Sequence, residues 1–195
     1  MTVSALIEGN GVTLKAIERA DLERVRLWRN DPDISQCMVS QALISEKQQL
    51  SWFDTISDDK CQQHYVIEFK SEPIGVINMK SVCGASLNRE SLHSCRQIEM
   101  GMYIHDERYR GNFLAFCPAV TLNDYCFDQL SCEKLMARVL LGNEAAIRFN
   151  TALGYQVTSE KSDATDAQQQ GLITMTLSKD NYQVHSEKIR RLIRY

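Results

Sequence analysis

Residues 96–141 constrain the fold more than any other part of the chain. "RQIEMGMYI" (96–104) is typical of a strand, "LAFCPAVTLNDYCFDQL" (114–130) of a helix, and "EKLMARVLL" (133–141) of a second strand. A strand, a helix and a strand in this order form a right-handed crossover, which makes the two strands parallel. This segment therefore predicts one parallel β-α-β unit inside the sheet that the chain builds.

The rest of the chain predicts antiparallel strands and further helices. Before the unit, the patterns indicate a strand at 11–17, helices at 20–30 and 44–56, and a hairpin formed by 64–70 and 73–82. After it come a helix at 143–153, a hairpin formed by 154–160 and 171–178 around a polar connection that we expect to be mobile, and a helical tail within 179–195. This order predicts an α/β (α+β) fold, a single domain over 1–195 with a mixed, mainly antiparallel sheet flanked by helices.

Local signals support the predicted helices. Ser45 with Gln48 three residues later is a capping-box signature, and Asn143 is a natural cap for its helix. Apolar residues at helical spacing predict the buried faces of the first, second and last helices, respectively: Leu22, Val25 and Trp28; Leu50, Phe53 and Ile56; Ile189, Leu192 and Ile193. We expect the last helix to dock on its own domain, with a basic membrane-surface helix as the alternative.

Composition indicates a globular protein without nucleic-acid or membrane partners. The 195 residues are 44% hydrophobic and 24% charged, with a net charge of −3, which gives no basis for binding nucleic acid. No apolar run is long enough to span a bilayer, and the N-terminus has no basic targeting region. We therefore expect a cytoplasmic protein, monomeric or homodimeric, that acts on a small molecule.

The seven cysteines do not form a recognisable metal or redox motif. Cys83, His93 and Cys95 could be drawn as a partial metal site, but reduced thiols are the favoured interpretation. A nucleophilic cysteine stays open as an alternative, although none has a convincing histidine partner nearby in the sequence. We expect no metal.

The turn "DERYRGNFLAF" (106–116) has the chemistry of a phosphate-binding site. The amides of residues 110–114 would lie at the N-terminus of a helix, where unpaired N–H donors and the helix dipole attract anions. Arg108 and Arg110 could add charge-assisted hydrogen bonds, and Gly111 supplies backbone freedom. The alternative is an ordinary helix start capped by a side chain or water.

Two segments resemble the GNAT superfamily of N-acetyltransferases. "IEMGMYIHDERYRGNFLA" resembles the central strand and pyrophosphate loop of that family, whose Arg/Gln-x-x-Gly-x-Gly/Ala pattern falls on Arg108, Gly111 and Phe113. "NEAAIRFNTALGY" is similar to the helix that follows the next strand. The resemblance implies acetyl-CoA as co-substrate. Phe113 departs from the pattern, and we expect its side chain to point away from the phosphates, leaving a weaker cradle.

By this resemblance, the acetyl-CoA site includes the end of the central strand, the loop after it and one face of the second helix. The residues implied are Met102, Ile104, Arg108, Tyr109, Arg110, Gly111, Asn112, Phe113, Leu114, Ala115, Asn143, Ala146 and Phe149.

"LWRNDPDISQCM" (27–38), followed by "ISEKQQLSWF", resembles more closely the nucleotide-sugar N-acetyltransferases of pseudaminic-acid biosynthesis. Those enzymes acetylate the 4-amino group of a UDP-linked 4-amino-4,6-dideoxy sugar. The resemblance implies that four residues surround the nucleotide sugar: Arg29, Asn30, Met38 and Trp52. Arg138 stands where sugar-acetylating relatives often have a glutamate, and a cation facing the site would repel an ammonium substrate. Arg29 could hold the diphosphate and Trp52 could stack on uracil or sugar, although Arg29 could also be an exposed helix-end arginine.

Acetyl transfer needs a base for the amine, a donor for the oxyanion and a proton for the leaving thiolate. Glu99 is the candidate base, since it is the one carboxylate in a strand expected to be buried; an ion pair with Arg96 or another basic residue is the alternative. Asn150 stands where the family usually has an acid tyrosine, so Tyr103 or water is expected to replace that acid.

Two other functions stay open at this point. The chain could acetylate protein N-termini, which would need an open acidic or apolar groove. It could also be a non-catalytic acetyl-CoA-binding module that has lost the acid tyrosine.

Overall fold

The computed structural model describes residues 3–94, 96–161 and 171–193. These residues form eight strands and six α-helices. The strands are β1 (Leu6–Gly9), β2 (Val12–Ala16), β3 (Gln62–Phe69), β4 (Glu72–Ser81), β5 (Gln97–Ile104), β6 (Lys134–Leu140), β7 (Gln156–Lys161) and β8 (Leu172–Ser178). The helices are α1 (Leu22–Asn30), α2 (Pro32–Ser35), α3 (Glu46–Asp58), α4 (Phe116–Asp124), α5 (Glu144–Leu153) and α6 (Lys179–Ile193).

The described strands form one sheet in the order β1-β2-β3-β4-β5-β6-β8-β7. The pair β5–β6 is parallel, as the β-α-β pattern predicts, and every other neighbouring pair is antiparallel. The parallel ladder is short: it runs from the Gln97–Lys134 pair to the Glu99–Met136 pair and then stops. Beyond it the two central strands diverge, which opens the sheet at their carboxyl ends.

The sheet separates two apolar layers of different size. The large core lies on the face covered by α4 and α6, where strand residues such as Leu14, Ile98 and Leu135 are fully buried. The smaller cluster lies on the opposite face, where Val25 and Trp28 of α1 pack with Val66 and Val76 of the sheet. Because side chains alternate along a strand, each central strand contributes to both layers.

Most of the predicted elements are confirmed, including both caps. Ser45 and Gln48 form the capping box of α3, and Asn143 Oδ1 accepts a hydrogen bond from Ala146 N at 3.1 Å. Two elements were not predicted: β1, which completes the sheet edge, and the single turn α2. The polar connection expected to be mobile lies almost entirely outside the described residues.

Two apolar faces were predicted wrongly. On α3, Leu50 is 39% exposed, whereas the polar Gln49 is 4% exposed and faces the protein. On α6, Leu192 is 56% exposed, while Ile189 and Ile193 are buried as predicted. In both helices the buried stripe is narrower than the spacing rule assumes, so one predicted position in each lies in solvent.

The C-terminal helix α6 docks on its own domain, as expected. Arg190 Nη2 donates to Asp124 Oδ1 of α4 at 2.6 Å, and the buried Tyr182 hydroxyl donates to the same oxygen at 2.6 Å. Burial, with the neighbouring Asp124 charge, raises the pKa of Tyr182. In the described part of the chain, no helix combines the length and the apolar character needed to cross a membrane.

Candidate functional site

The divergence of β5 and β6 leaves main-chain groups without a ladder partner. Gln97 O accepts from Val82 N and His105 N donates to Ile74 O, so the main-chain groups of odd-numbered residues of β5 face β4. Successive residues of a strand point their N–H and C=O groups to opposite sides. The groups of Met100 and Met102 therefore face the gap that β6 leaves open and are available to an extended ligand, whereas the carbonyl oxygen of Ile104 on the same side accepts a hydrogen bond from Arg110 Nε.

The loop after β5 ends in three consecutive open amides. Gly111 has φ +77°, a left-handed conformation that turns the chain toward α4. Within the described residues, no hydrogen bond is made by the amides of Gly111, Asn112 and Phe113. The next amide, Leu114 N, is already capped by Asn112 Oδ1 at 2.8 Å. Clustered free N–H groups at a helix start suit a phosphate, and the open set is shorter than the predicted 110–114.

The two arginines of this loop are engaged with protein groups. Arg108 Nη2 pairs with Asp106 at 2.6 Å and Glu72 at 2.7 Å, and these carboxylates raise its pKa. Arg110 donates to the carbonyl oxygens of Ile104, at 3.2 Å, and His105, at 2.6 Å. These bonds tie the loop to the end of β5, so the arginines shape the turn and main-chain amides are left to face an anion.

Phe113 is largely exposed to solvent. Its side chain is 55% exposed and is not among the residues lining the adjacent cavity. Of its neighbours, Leu114 and Ala115 are buried in the core, and Tyr109 packs edge-on against Phe69 with ring centroids 5.3 Å apart. An aromatic residue is therefore accommodated at this family glycine position without obstructing the loop.

A cavity of about 340 Å³, here called the splay cavity, lies between the diverging strands. Its walls include many of the predicted residues: Met38, Met102, Tyr103, Ile104, Arg110, Arg138, Asn143, Ala146, Phe149 and Asn150. The face of α5 is positioned by the Asn143 cap and by Phe149, which stacks on Phe116 at 4.6 Å between centroids. The floor is formed by core-side residues, among them Ala119 and Asn123 of α4.

A second cavity, of about 440 Å³, lies on the other face of the sheet beneath α1 and α3 and is here called the α1–α3 cavity. It is lined by predicted residues Arg29, Met38 and Trp52, together with residues that were not predicted: Gln48, Gln49, His64 and Asn78. The two cavities share Met38, Gly101, Met102 and Tyr103. They therefore meet at β5, where groups held on opposite sides can come into contact.

Gly101 keeps that junction open. A Cβ atom at this position would lie 2.6 Å from Asn78 Oδ1 on the neighbouring strand. The absence of a side chain lets the Asn78 carboxamide lie across β5 at the point where the cavities join.

Unpaired hydrogen-bond donors converge on the α1–α3 cavity. Arg29 Nη1, Gln49 Nε2 and the Tyr103 hydroxyl are buried atoms with no hydrogen-bond partner among the described residues, and all three residues line this cavity. Burial lowers the pKa of Arg29 and raises the pKa of Tyr103. Buried donors are almost always paired in folded proteins, so a set of three indicates a site for a ligand rich in acceptors.

His64 forms part of the floor of the same cavity. Its ring lies edge-on to Trp52, with centroids 5.1 Å apart, and its Nε2 is 3.1 Å from Gln62 Oε1. Burial, reinforced by the Lys80 charge, lowers the pKa of His64 to about 4. The imidazole is therefore neutral at pH 7, and Arg29 is the one charged side chain among the described residues that line this cavity.

Two predicted substrate residues do not line the α1–α3 cavity: Asn30, and Arg138, which lines the splay cavity instead. Asn30 lines neither cavity; its carboxamide donates to Ile44 O at 2.9 Å and accepts from Ile44 N at 2.8 Å, which fixes the loop that forms one wall. Trp28, by contrast, is buried as expected and stacks on His105 at 5.3 Å.

Glu99 is ion-paired, the alternative that the sequence left open. Arg138 Nε donates to Glu99 Oε1 at 2.8 Å. The expectation of a buried strand around Glu99 is wrong: its side chain is 24% exposed, because the divergence of β6 uncovers this part of β5. Glu99 lies on the face of the α1–α3 cavity, two residues from Gly101, which is about 7 Å along a strand.

Three of the described cysteines are buried thiols. Cys117, Cys126 and Cys132 are buried, and burial raises the pKa of each thiol, to about 12 for Cys132. The partial metal site drawn from Cys83, His93 and Cys95 falls partly outside the described residues. Within the described part of the chain, no group of three or more potential metal ligands is present.

A family model described as an acetyltransferase (GNAT) domain matches residues 12–156. That range covers the sheet from β2 to the start of β7 and contains both cavities. No curated protein sequence matches the chain.

Solved acetyltransferases share the fold over nearly their whole length. The spermidine N-acetyltransferase of Vibrio cholerae, solved with CoA and spermine, matches with TM-score 0.74 and 19% identity, covering 89% of this chain and 98% of that one. FdhC, described as a nucleotide-linked sugar GNAT, gives 0.75 and 19%, covering 98% and 100%. An aminoglycoside acetyltransferase with coenzyme A gives 0.72 and 16%, covering 90% and 99%. At these identities the likeness is one of fold.

Proposed function

The chain belongs to the GNAT family of acetyltransferases, and we propose that its acceptor is the 4-amino group of a UDP-linked 4-amino-4,6-dideoxy sugar, as in pseudaminic-acid biosynthesis. Acetyl-CoA-dependent N-acetyl transfer follows from the family; the acceptor is the proposal.

The charge of the α1–α3 cavity is the observation that carries this acceptor class. Its described lining contains no carboxylate, and its one charged group, Arg29, is a half-buried guanidinium whose Nη1 is buried and has no partner among the described residues. A polyamine or an aminoglycoside is a polycation and would need carboxylates to offset its lost hydration. A nucleotide sugar instead brings a diphosphate, which a guanidinium can bind in a bidentate manner.

Other groups of the cavity suit the rest of such a ligand. Trp52 presents an aromatic surface for a base or a sugar ring, and Gln49 and Tyr103 present donors for carbonyl or hydroxyl oxygens. FdhC, one of the structures with this fold, is itself described as a nucleotide-linked sugar enzyme, which supports the same class of acceptor.

On the other side of β5, the splay cavity suits the coenzyme. The amides of Gly111, Asn112 and Phe113 would hold its pyrophosphate, and the open main-chain groups of Met100 and Met102 would bond the extended arm. The arm would then end at the shared residues, with its thioester directed toward the amine bound in the α1–α3 cavity.

Transfer requires the amine nitrogen to attack the thioester carbonyl carbon, with loss of one amine proton and departure of the thiolate. Glu99 accepts that proton through a water molecule, which bridges the distance between its carboxylate and the amine at the Gly101 junction. Tyr103, whose pKa burial raises, keeps its proton and donates a hydrogen bond to the developing oxyanion. Asn150 lines the splay cavity and can donate a hydrogen bond to the leaving sulfur.

A panel of amine acceptors tests the proposal. Purified protein with acetyl-CoA is mixed with a UDP-linked 4-amino sugar, spermidine, an aminoglycoside or a short peptide, and CoA release is followed. We expect the nucleotide sugar to give the highest kcat/KM. Preferential acetylation of spermidine or the aminoglycoside would overturn the acceptor class, preference for the peptide would support protein acetylation, and CoA binding without release from any acceptor would support a non-catalytic module.

A further inference from the structure

One polar side chain is buried without a partner on the floor of the splay cavity. Asn123 lies on α4, is 1% exposed, and its Nδ2 atom has no hydrogen-bond partner. Within the described residues, no hydrogen bond involves its side chain. A buried carboxamide without a hydrogen-bond partner costs free energy. An unpaired Asn123 in a cavity wall therefore points to a ligand group that accepts a hydrogen bond from it.

The surroundings of Asn123 exclude a protein partner on the cavity side. The core residues that also line the cavity include the apolar Ile77, Ala119, Ala137 and Leu153, and Tyr155, whose hydroxyl makes no hydrogen bond to Asn123. Ala119 precedes Asn123 by one helical turn, so the same face of α4 presents a small residue and then the carboxamide. The small residue leaves room for a ligand to approach the carboxamide.

The position along α4 identifies which part of the coenzyme can reach Asn123. The open amides end at Phe113, and ten residues of helix separate it from Asn123, or about 15 Å at the helical rise per residue. An extended pantetheine arm anchored by its phosphates at those amides spans a comparable distance. The group that arrives at Asn123 is therefore the acyl end, not the middle of the arm.

We propose that the Asn123 carboxamide donates a hydrogen bond from Nδ2 to the carbonyl oxygen of the coenzyme thioester. This inference rests on the proposed use of the splay cavity by acetyl-CoA and extends it, because it makes the protein selective for the acylated coenzyme. Asn123 is then a binding residue for the acyl group that orients the carbonyl carbon toward the Gly101 junction, where the two cavities meet.

Calorimetry with three coenzyme forms tests the proposal. Acetyl-CoA carries the thioester carbonyl, S-ethyl-CoA replaces it with a methylene group, and CoA carries neither acetyl nor ethyl. In the wild-type protein we expect acetyl-CoA to bind more tightly than S-ethyl-CoA. Asn123→Leu keeps the shape of the side chain but removes the donor. In this variant the dissociation constant of S-ethyl-CoA divided by that of acetyl-CoA should fall by about fivefold, while the affinity for CoA stays the same.

Two further variants protect the test from unfolding artefacts. Asn123→Ala replaces Asn123→Leu if the leucine is not tolerated, and the same loss of the ratio is expected. Leu122→Ala removes a fully buried core side chain from the same helix, so it lowers stability without changing the ratio.

The outcomes separate this inference from the proposed function. If the wild-type protein binds none of the three forms, the assignment of the splay cavity to the coenzyme fails. If it binds CoA but does not distinguish acetyl-CoA from S-ethyl-CoA, or if Asn123→Leu keeps the wild-type ratio, the proposed contact is wrong while the coenzyme site stands.

Discussion

The splay cavity and the α1–α3 cavity meet at one strand but are built in different ways. The splay side presents main-chain groups from short, continuous segments: the end of β5, which lines the splay cavity, and the Gly111–Phe113 amides of the loop that follows it. The α1–α3 cavity presents side chains from α1, α3, β3 and β4. Main-chain recognition tolerates side-chain change, as Phe113 illustrates, whereas a cavity of converging side chains depends on each one.

The largest effect is expected where catalysis depends on one side chain. Glu99→Gln should lower kcat by about 10²-fold or more, because the variant cannot accept the amine proton. Steady-state kinetics with the acceptor amine that the panel identifies measure this change in kcat. Arg138→Gln is the matched control, since it breaks the same ion pair while leaving the carboxylate, and should cost less than about fivefold.

Equal losses in these two variants would mean that Glu99 acts only through its ion pair. Wild-type turnover in Glu99→Gln would remove it from the mechanism and leave water as the proton acceptor.

The floor of the α1–α3 cavity should make stability depend on pH. The pKa of His64 is about 4 in the folded protein against 6.5 for an ordinary histidine. Between these values the unfolded chain binds more protons, so the free energy of unfolding falls as the pH drops from 7 to 4, by on the order of 2 kcal/mol. Urea unfolding at several pH values measures it, and His64→Gln should remove this part of the slope. An identical slope in the variant would contradict the buried, neutral imidazole.

Loss of the one cation in the α1–α3 cavity should weaken acceptor binding. Arg29→Met should raise KM for the nucleotide sugar by about tenfold, because a charge-assisted contact with the diphosphate is lost, and should leave the affinity for acetyl-CoA unchanged. Arg24→Met removes an exposed arginine from the same helix and serves as the control. Equal KM values in the two variants would argue against a diphosphate at Arg29.

The smallest effect is expected on the main-chain side. Phe113→Ala should change the dissociation constant of acetyl-CoA by less than about threefold, since the exposed ring leaves the open amides where they are. Gly111→Ala, in contrast, forces a side chain into a left-handed conformation and should weaken binding by about fivefold or more, as strain of 1–2 kcal/mol implies. Calorimetric titration measures both dissociation constants, and a larger effect of Phe113→Ala than of Gly111→Ala would contradict main-chain recognition.

The difference between a site built from main-chain groups of continuous segments and a site built from converging side chains also explains which parts of the molecule were predictable from sequence. The strand, the glycine turn and the capped helix at Asn143 are local signals, and the fold and splay cavity follow from them. His64 and Asn78 were missed because they come together only through strand pairing: His64 pairs with Asn78, and Asn78 with Gly101. Gln49 was missed because the apolar spacing rule selected Leu50, although Gln49 precedes Trp52 and Phe53, on the same side of α3, by three and four residues.

The Glu99 environment was unpredictable for a related reason. A strand sequence does not report where its neighbour leaves the sheet, and the parallel ladder ends at Glu99 itself. Its pairing with Arg138 depends on that register, which places the two strands side by side immediately before they separate.

The most direct test of the central claim is a crystal structure of the protein with acetyl-CoA. The account predicts pyrophosphate oxygens within hydrogen-bond distance of the Gly111, Asn112 and Phe113 amides, with the pantetheine arm between β5 and β6. A coenzyme bound outside the splay cavity, or phosphates held by side chains while those three amides face solvent, would contradict it.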